Sequence, residues 1–219
     1  MEGIFMATVY IYVLDTLADW ELGYVTSELN SGRFFKEGEQ RLSLRMVSYS
    51  KETIHTMGGL AIEPNYLIED IEVSETTVLL LPGAETWSDP KHGAIIEKTK
   101  ELLKVGATVC AICGATAALA NAGLLNNRPH TSNGLEFLEM VSQGYKGQGF
   151  YIETPSVVDN NLITASSTGA LLWTKQIIEH IGVFQSSTLE FWYDYFSTGN
   201  PKDFFALMET LPANHEKLR

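Results

Sequence analysis

The 219-residue chain carries a net charge of −12 and is 45% hydrophobic, apolar material enough for one well-buried domain. That charge opposes a phosphate backbone, and no basic stripe interleaved with aromatics offsets it, so nucleic acid is excluded as a partner. No apolar run approaches the roughly 18 residues of a membrane span, and the amino terminus lacks the basic region of a signal peptide; the chain reads as cytoplasmic, with no membrane contact.

In chain order, Thr8 to Leu14 is a continuous apolar, β-branched run, the pattern of a first central strand. Met6 just before it offers a second possible start. Asp15 to Ala18 forms a loop, and Asp19 is placed to cap a helix to about Asn30, closed by Gly32. Glu21 falls in the first turn, where the macrodipole favours an acid. Leu42 to Ser50 reads as a second strand, and Ile54 to Ile62, with Gly58 and Gly59 inside it, as a bent strand or hairpin. Asn65 to Ile71 makes a helical turn at most. Thr77 to Leu81 is a third central strand running into Pro82, Gly83 and Ala84. Lys91 to Lys104 has the apolar spacing of an amphipathic helix.

The stretch around which the rest is arranged is Thr108 to Ala122. A short strand, Thr108 to Ile112, passes into an Ala-rich helix with only Cys113 and Gly114 at the turn, the layout of a nucleophile elbow. Such a corner lifts one side chain to the carboxyl edge of the sheet and the positive end of a helix, both of which favour a thiolate. A small buried hydrophobe is the other fate open to Cys113. Cys110 cannot pair with it: three strand residues at about 3.3 Å each set the Cα atoms roughly 10 Å apart, and a disulfide needs less than about 7 Å. Two cysteines without close histidines give no metal site either.

Gly123 to Asn133 is a loop containing His130, and Leu135 to Val141 a helical turn. Phe150 to Thr154 and Ser156 to Val158 are strand candidates, Asn160 and Asn161 a turn, Leu162 to Ala165 the last core strand, and Ala170 to Ile181 a helix. Ser186 to Leu211 reads as two short helices, the second started by Asn200 and Pro201. Phe191, Trp192, Tyr195 and Phe196 recur at helical spacing and would pack this extension on the body or on a second subunit. The organisation is one α/β domain over residues 1–185 and a helical extension over 186–219.

Strands alternating with helices imply a mostly parallel sheet covered on both faces, with ligands at its carboxyl edge. That rule gathers Glu21, Gly83, Ala84 and Cys113 on one edge; His130 joins them only if its loop folds back.

At these residues the chain resembles the ThiJ/PfpI superfamily, which has a glutamine amidotransferase-like fold. The match rests on Ala111 to Thr116, Ala118, Leu119, Gly123 to Leu125, Arg128 and His130, with Asp19 to Glu21, Met57 to Gly59 and Leu81 to Gly83 in the right order. The resemblance implies a flavodoxin-like three-layer sandwich, a homodimer, and Cys113 as a reactive thiolate with a protonated Glu21 beside it. It also implies His130 as the nearby histidine and the backbone N–H groups of Ala84 and Gly114, next to Gly83, as an oxyanion pocket. Three departures stand out. Gly114 occupies the place of the histidine that follows the nucleophile in the protease-like branch, and Ala84 that of a second glycine. Ala165, Ser166 and Ser167 replace an Arg-Gly pair.

Three functions fit. One is an enzyme attacking a small reactive carbonyl without cofactor or metal, glyoxalase-like or hydrolase-like, with Glu21 and His130 moving protons. Another is a redox sensor or stress protein in which Cys113 oxidises to a sulfinate. The last is a binding module using the aromatic extension.

Overall fold

A computed structural model describes residues 7–212; the choice between Met1 and Met6 and the last seven residues of the extension lie outside that span. Seven strands form one sheet in the order β5-β2-β1-β6-β7-β9-β8. They are β1 (Thr8–Tyr12), β2 (Ser43–Ser48), β5 (Tyr66–Leu67), β6 (Thr77–Leu81), β7 (Thr108–Ile112), β8 (Ser156–Asp159) and β9 (Leu162–Ala165). All neighbours run parallel except β8 against β9. The middle strands β6 and β7 are buried along their whole length, which is why they read as unbroken apolar runs rather than as alternating ones. Two short strands, β3 (Ile54–His55) and β4 (Ala61–Ile62), form a separate hairpin.

Right-handed crossovers fix the layers. The chain steps from β1 out to β2 through α1 (Asp19–Ser31), and from β6 through α2 (Gly93–Lys104) and α3 (Gly114–Asn121) the opposite way across the sheet. Helix α1 therefore lies on one face and α2 and α3 on the other. Helix α4 (Leu135–Val141) packs on α3, and α5 (Ala170–Ile181) packs on α1. The result is the three-layer α/β sandwich expected from the sequence.

The extension forms α6 (Ser186–Thr198) and α7 (Pro201–Glu209), the latter capped by the Asn200 side chain on Lys202 N–H at 3.1 Å. Trp192 is fully buried and its indole N–H donates to Glu28 Oε1 of α1 at 3.1 Å, while Tyr24 meets Trp192 and Phe196 edge to face. The aromatic stripe thus attaches the extension to the body of its own chain. Glu28 is buried without an uncompensated charge because Arg33 pairs with it in two-pronged fashion.

Three local expectations need correcting. Asp19 does not cap α1: Ala18 stands at the N-cap without a side-chain bond, and Asp19 Oδ2 instead accepts from Gly58 N–H at 2.7 Å, tying α1 to the β3–β4 hairpin. Residues 65–71 hold strand β5 before a 3-10 turn, because Val47 and Ser48 offer a free parallel edge to Tyr66 and Leu67. Phe150 to Thr154 is not a strand; a 3-10 turn ends at Phe150, and the segment keeps a single bridge, Tyr151 to His130.

Candidate active site

Parallel pairing sends the ends of β1, β6 and β7 to the same edge. At the end of β7 the backbone breaks sharply: Cys113 has φ 56° and ψ −123°, strained for a residue with a Cβ, and α3 starts directly after it. That break turns the sulfur out of the sheet. Gly83, just past β6, lies against it so closely that a Cβ there would be 2.7 Å from Cys113 Cβ, 2.9 Å from Sγ and 2.8 Å from Glu21 Oε2. Only glycine fits between the two side chains. Gly114 is bound in the same way, since a Cβ on it would lie 2.9 Å from the Ala84 carbonyl oxygen and 3.4 Å from Ala84 N.

Glu21 reaches this point from the first turn of α1. It is completely buried, and its Oε2 accepts the Gly83 N–H at 2.6 Å. Its Oε1 is buried without a partner among the described residues. Burial pushes the carboxyl above its ordinary range, against the bonds from Gly83 and Cys113 that favour the anion. A macrodipole effect alone does not explain a carboxyl held this way.

Asn133 stands on the far side of the sulfur. Its Nδ2 donates to Cys113 Sγ at 3.2 Å, and its Oδ1 accepts the Ser167 N–H at 2.8 Å, which fixes the amide orientation. Burial pushes the Cys113 thiol up to about 11; the Asn133 and Gly114 donors pull it down, and a charged Glu21 would push it further up. Desolvation and the two donors thus act on the sulfur in opposite senses, and an uncharged Glu21 is the state that leaves it easiest to ionise.

His130 is fully buried, but both ring nitrogens are engaged elsewhere, Nδ1 with the Arg128 carbonyl at 2.7 Å and Nε2 with Tyr145 OH at 2.6 Å. Burial lowers its pKa, so the ring is neutral at physiological pH. The structure gives it no hydrogen bond to Cys113; Asn133 makes that contact. The reason is height along the sheet. Arg128 binds Asp159, Thr131 N–H binds Thr164 Oγ1, and Asn133 receives Ser167 N–H. The returning loop climbs beside β9 one residue at a time, and it reaches the carboxyl edge only at residue 133. Counting residues from the last contact that the loop makes at the amino edge would have pointed past His130, but that contact is tertiary and not visible in the sequence.

Among the described residues no group of three His, Cys, Asp or Glu side chains is arranged to hold a metal ion, and no helix is long and apolar enough to cross a membrane.

The sequence profile of the DJ-1/PfpI family matches residues 7–180. A Bacillus subtilis protein named "Uncharacterized protease YoaZ" is 43% identical over 203 residues, covering 93% of this chain and 97% of its own. Another from the same organism, "Uncharacterized protease YdeA", is 31% identical over 169 residues, 77% of this chain and 80% of its own. The crystal structure of a thiJ/pfpI family protein from Bacillus anthracis matches with a TM-score of 0.93 at 43% identity, covering 96% of this chain and 99% of that one. Schizosaccharomyces pombe DJ-1, at 18% identity and a TM-score of 0.63 over 89% of this chain and 100% of its own, shares the fold.

Proposed function

Because the chain belongs to the DJ-1/PfpI family, we propose that it is a cysteine-dependent enzyme acting on small reactive carbonyls, foremost α-oxoaldehydes, with Cys113 as nucleophile and no added cofactor. The observation that carries this reading is the pairing at the strained corner. A sulfur held by an amide donor on one side faces a buried carboxyl with an unused oxygen on the other.

In this reading Cys113 starts as a thiol and Glu21 as a neutral acid. As the sulfur–carbon bond forms and the aldehyde π bond opens, Glu21 gives a proton to the new hydroxyl oxygen and takes the thiol proton in exchange. The N–H groups of Ala84 and Gly114 stabilise negative charge on that oxygen. The proton on the attacked carbon then moves to the neighbouring carbonyl carbon, while the new hydroxyl gives its proton up to the neighbouring carbonyl oxygen, so the first oxygen becomes the thioester carbonyl and the second the hydroxyl. The first carbon is oxidised and the second reduced by the same two electrons, leaving a thioester of a 2-hydroxy acid. Water forms the new carbon–oxygen bond, the carbon–sulfur bond breaks, and the thiol recovers its proton. No external oxidant or reductant is needed.

The relatives' name "protease" suggests amide hydrolysis as a rival. Two features count against it here: the residue after the nucleophile is Gly114, where a side chain would run into the Ala84 backbone, and His130 does not bond to the sulfur. The test is to incubate the purified protein with methylglyoxal and measure lactate. Turnover is expected in the wild type, none above background in Cys113→Ala, and a loss of about 10²–10⁴-fold in Glu21→Gln. Lactate formation that persists in Cys113→Ala would overturn the reading, and cleavage of peptide amides without lactate would put the protease in its place.

A further inference from the structure

A cavity of about 300 Å³ opens beside the reactive corner, between the 3-10 turn Glu85–Ser88, α3 and α4. It shares Ala84 and Gly114 with the site. Its floor exists because α3 shows Gly114 and Ala118 on one face, with no side chain longer than a methyl group at either. Its walls are Trp87 on one side and Phe137 with Val141 on the other. The indole is fixed by its N–H bond to the Pro82 carbonyl at 2.9 Å, and its Cδ1 lies 3.4 Å from where a Cβ on Gly114 would be. The cavity is at the small end of the roughly 300–1,000 Å³ range of ligand clefts. No Lys, Arg or His lines it, and its one charged neighbour is Glu85.

We propose that this groove is the specificity pocket for the substituent carried by the carbonyl substrate, and that it selects a neutral, apolar aryl group. The proposal rests on the carbonyl reading above. A substrate oxygen held by the Ala84 and Gly114 N–H groups lies where the groove begins, so the group on the neighbouring carbon has the Ala118 floor and Trp87 wall in reach. Trp87 and Phe137 both line the groove, so an aromatic substituent there meets two rings. A carboxylate substituent meets Glu85, no cation, and the chain's net charge of −12.

Two α-oxoaldehydes test it, phenylglyoxal with an aryl group and methylglyoxal with a methyl. The wild type is expected to favour phenylglyoxal in kcat/KM by about tenfold or more. Ala118→Trp, which fills the floor, should remove that preference, bringing the phenylglyoxal kcat/KM down to or below the methylglyoxal value of the same variant. Val141→Trp, on the exposed wall, serves as a second blocking variant if the first does not fold. A preference absent in the wild type, or one that survives both blocks, overturns the groove. A readout independent of turnover separates this from failure of the parent reading: alkylation of Cys113 by an aryl against a methyl α-haloketone, followed by intact mass. If neither oxoaldehyde is consumed but the aryl reagent is favoured and Ala118→Trp removes that preference, the carbonyl enzyme falls and the groove stands. Equal alkylation rates sink the groove whether or not turnover occurs.

Discussion

Cys110 and Cys113 sit three residues apart on one strand and its corner, and their surroundings differ in kind. Cys110 points into the core with no exposed surface, and burial alone drives its thiol far above the ordinary value. Cys113 is also raised by burial, but Asn133 and the first N–H of α3 pull against it, and Glu21 lies alongside. The strand residues around both are equally apolar. What separates the two thiols is the backbone: at φ 56° the chain leaves the strand, and only there does the sulfur meet donors. A cysteine becomes chemically useful here through the break that follows the strand.

The largest expected effect sharpens that contrast. With the Cys113 thiol raised to about 11, the reactive anion is a small fraction at neutral pH and grows tenfold per pH unit. Alkylation by iodoacetamide, read at each cysteine by peptide mass, should therefore rise about 100-fold at Cys113 between pH 8 and pH 10. Cys110 should stay unmodified in the folded protein. Glu21 is the uncharged acid of the proposed mechanism, so Glu21→Gln, equally uncharged and of the same shape, should leave the midpoint nearly in place; a marked fall would show that the carboxyl is ionised beside the sulfur. A rate at Cys113 already flat above pH 8 would mean that the donors outweigh desolvation, and the comparison would need reversing.

A smaller effect isolates the amide. A hydrogen bond to a charged group contributes about 1.5–3 kcal/mol, so Asn133→Ala should slow alkylation at pH 8 by roughly 10- to 100-fold. Asn133→Asp keeps the shape and the acceptor for Ser167 N–H but replaces the donor with a charge, and it should be at least as slow. If the alanine variant reacts like the wild type, the donor to sulfur contributes nothing.

The residues that carry this site differed in how readable they were. Cys113, Gly83, Ala84 and Gly114 stand at ends of strands whose apolar runs are unambiguous, so the parallel-sheet rule places them without any knowledge of packing. Glu21 reads as a first-turn residue of α1, but its burial depends on the Gly83 loop closing against it, a contact between segments 62 residues apart. Strand β5 was unreadable because it is two residues long and exists only as an edge partner of β2. Residues 150–154 failed in the opposite sense: their β-forming composition has no neighbouring strand to pair with beyond one bridge. Asn133 was hidden because its position depends on the loop being anchored at Arg128 and Asp159, a contact between segments 31 residues apart.

The smallest effect decides between the two polar residues of that loop. His130 is enclosed by Tyr145 and Tyr151, both meeting its ring edge to face, and its nitrogens hold the loop to the Arg128 carbonyl and Tyr145 OH. Replacing it with phenylalanine keeps the volume but leaves the buried tyrosine hydroxyl without that partner, at a cost of about 1–3 kcal/mol. For a domain of this size that lowers Tm by roughly 2–12 °C. The chemistry at Cys113 should hardly change: alkylation at pH 8 stays within about twofold of the wild type, because the Asn133 amide and the Glu21 carboxyl are untouched. Since His130→Phe and Asn133→Ala act on one loop three residues apart, comparing their alkylation rates after matching for stability separates support of the loop from contact with the sulfur. A His130→Phe protein that folds normally yet reacts as slowly as Asn133→Ala would place the imidazole in proton traffic with Cys113 and displace the amide from the role given to it.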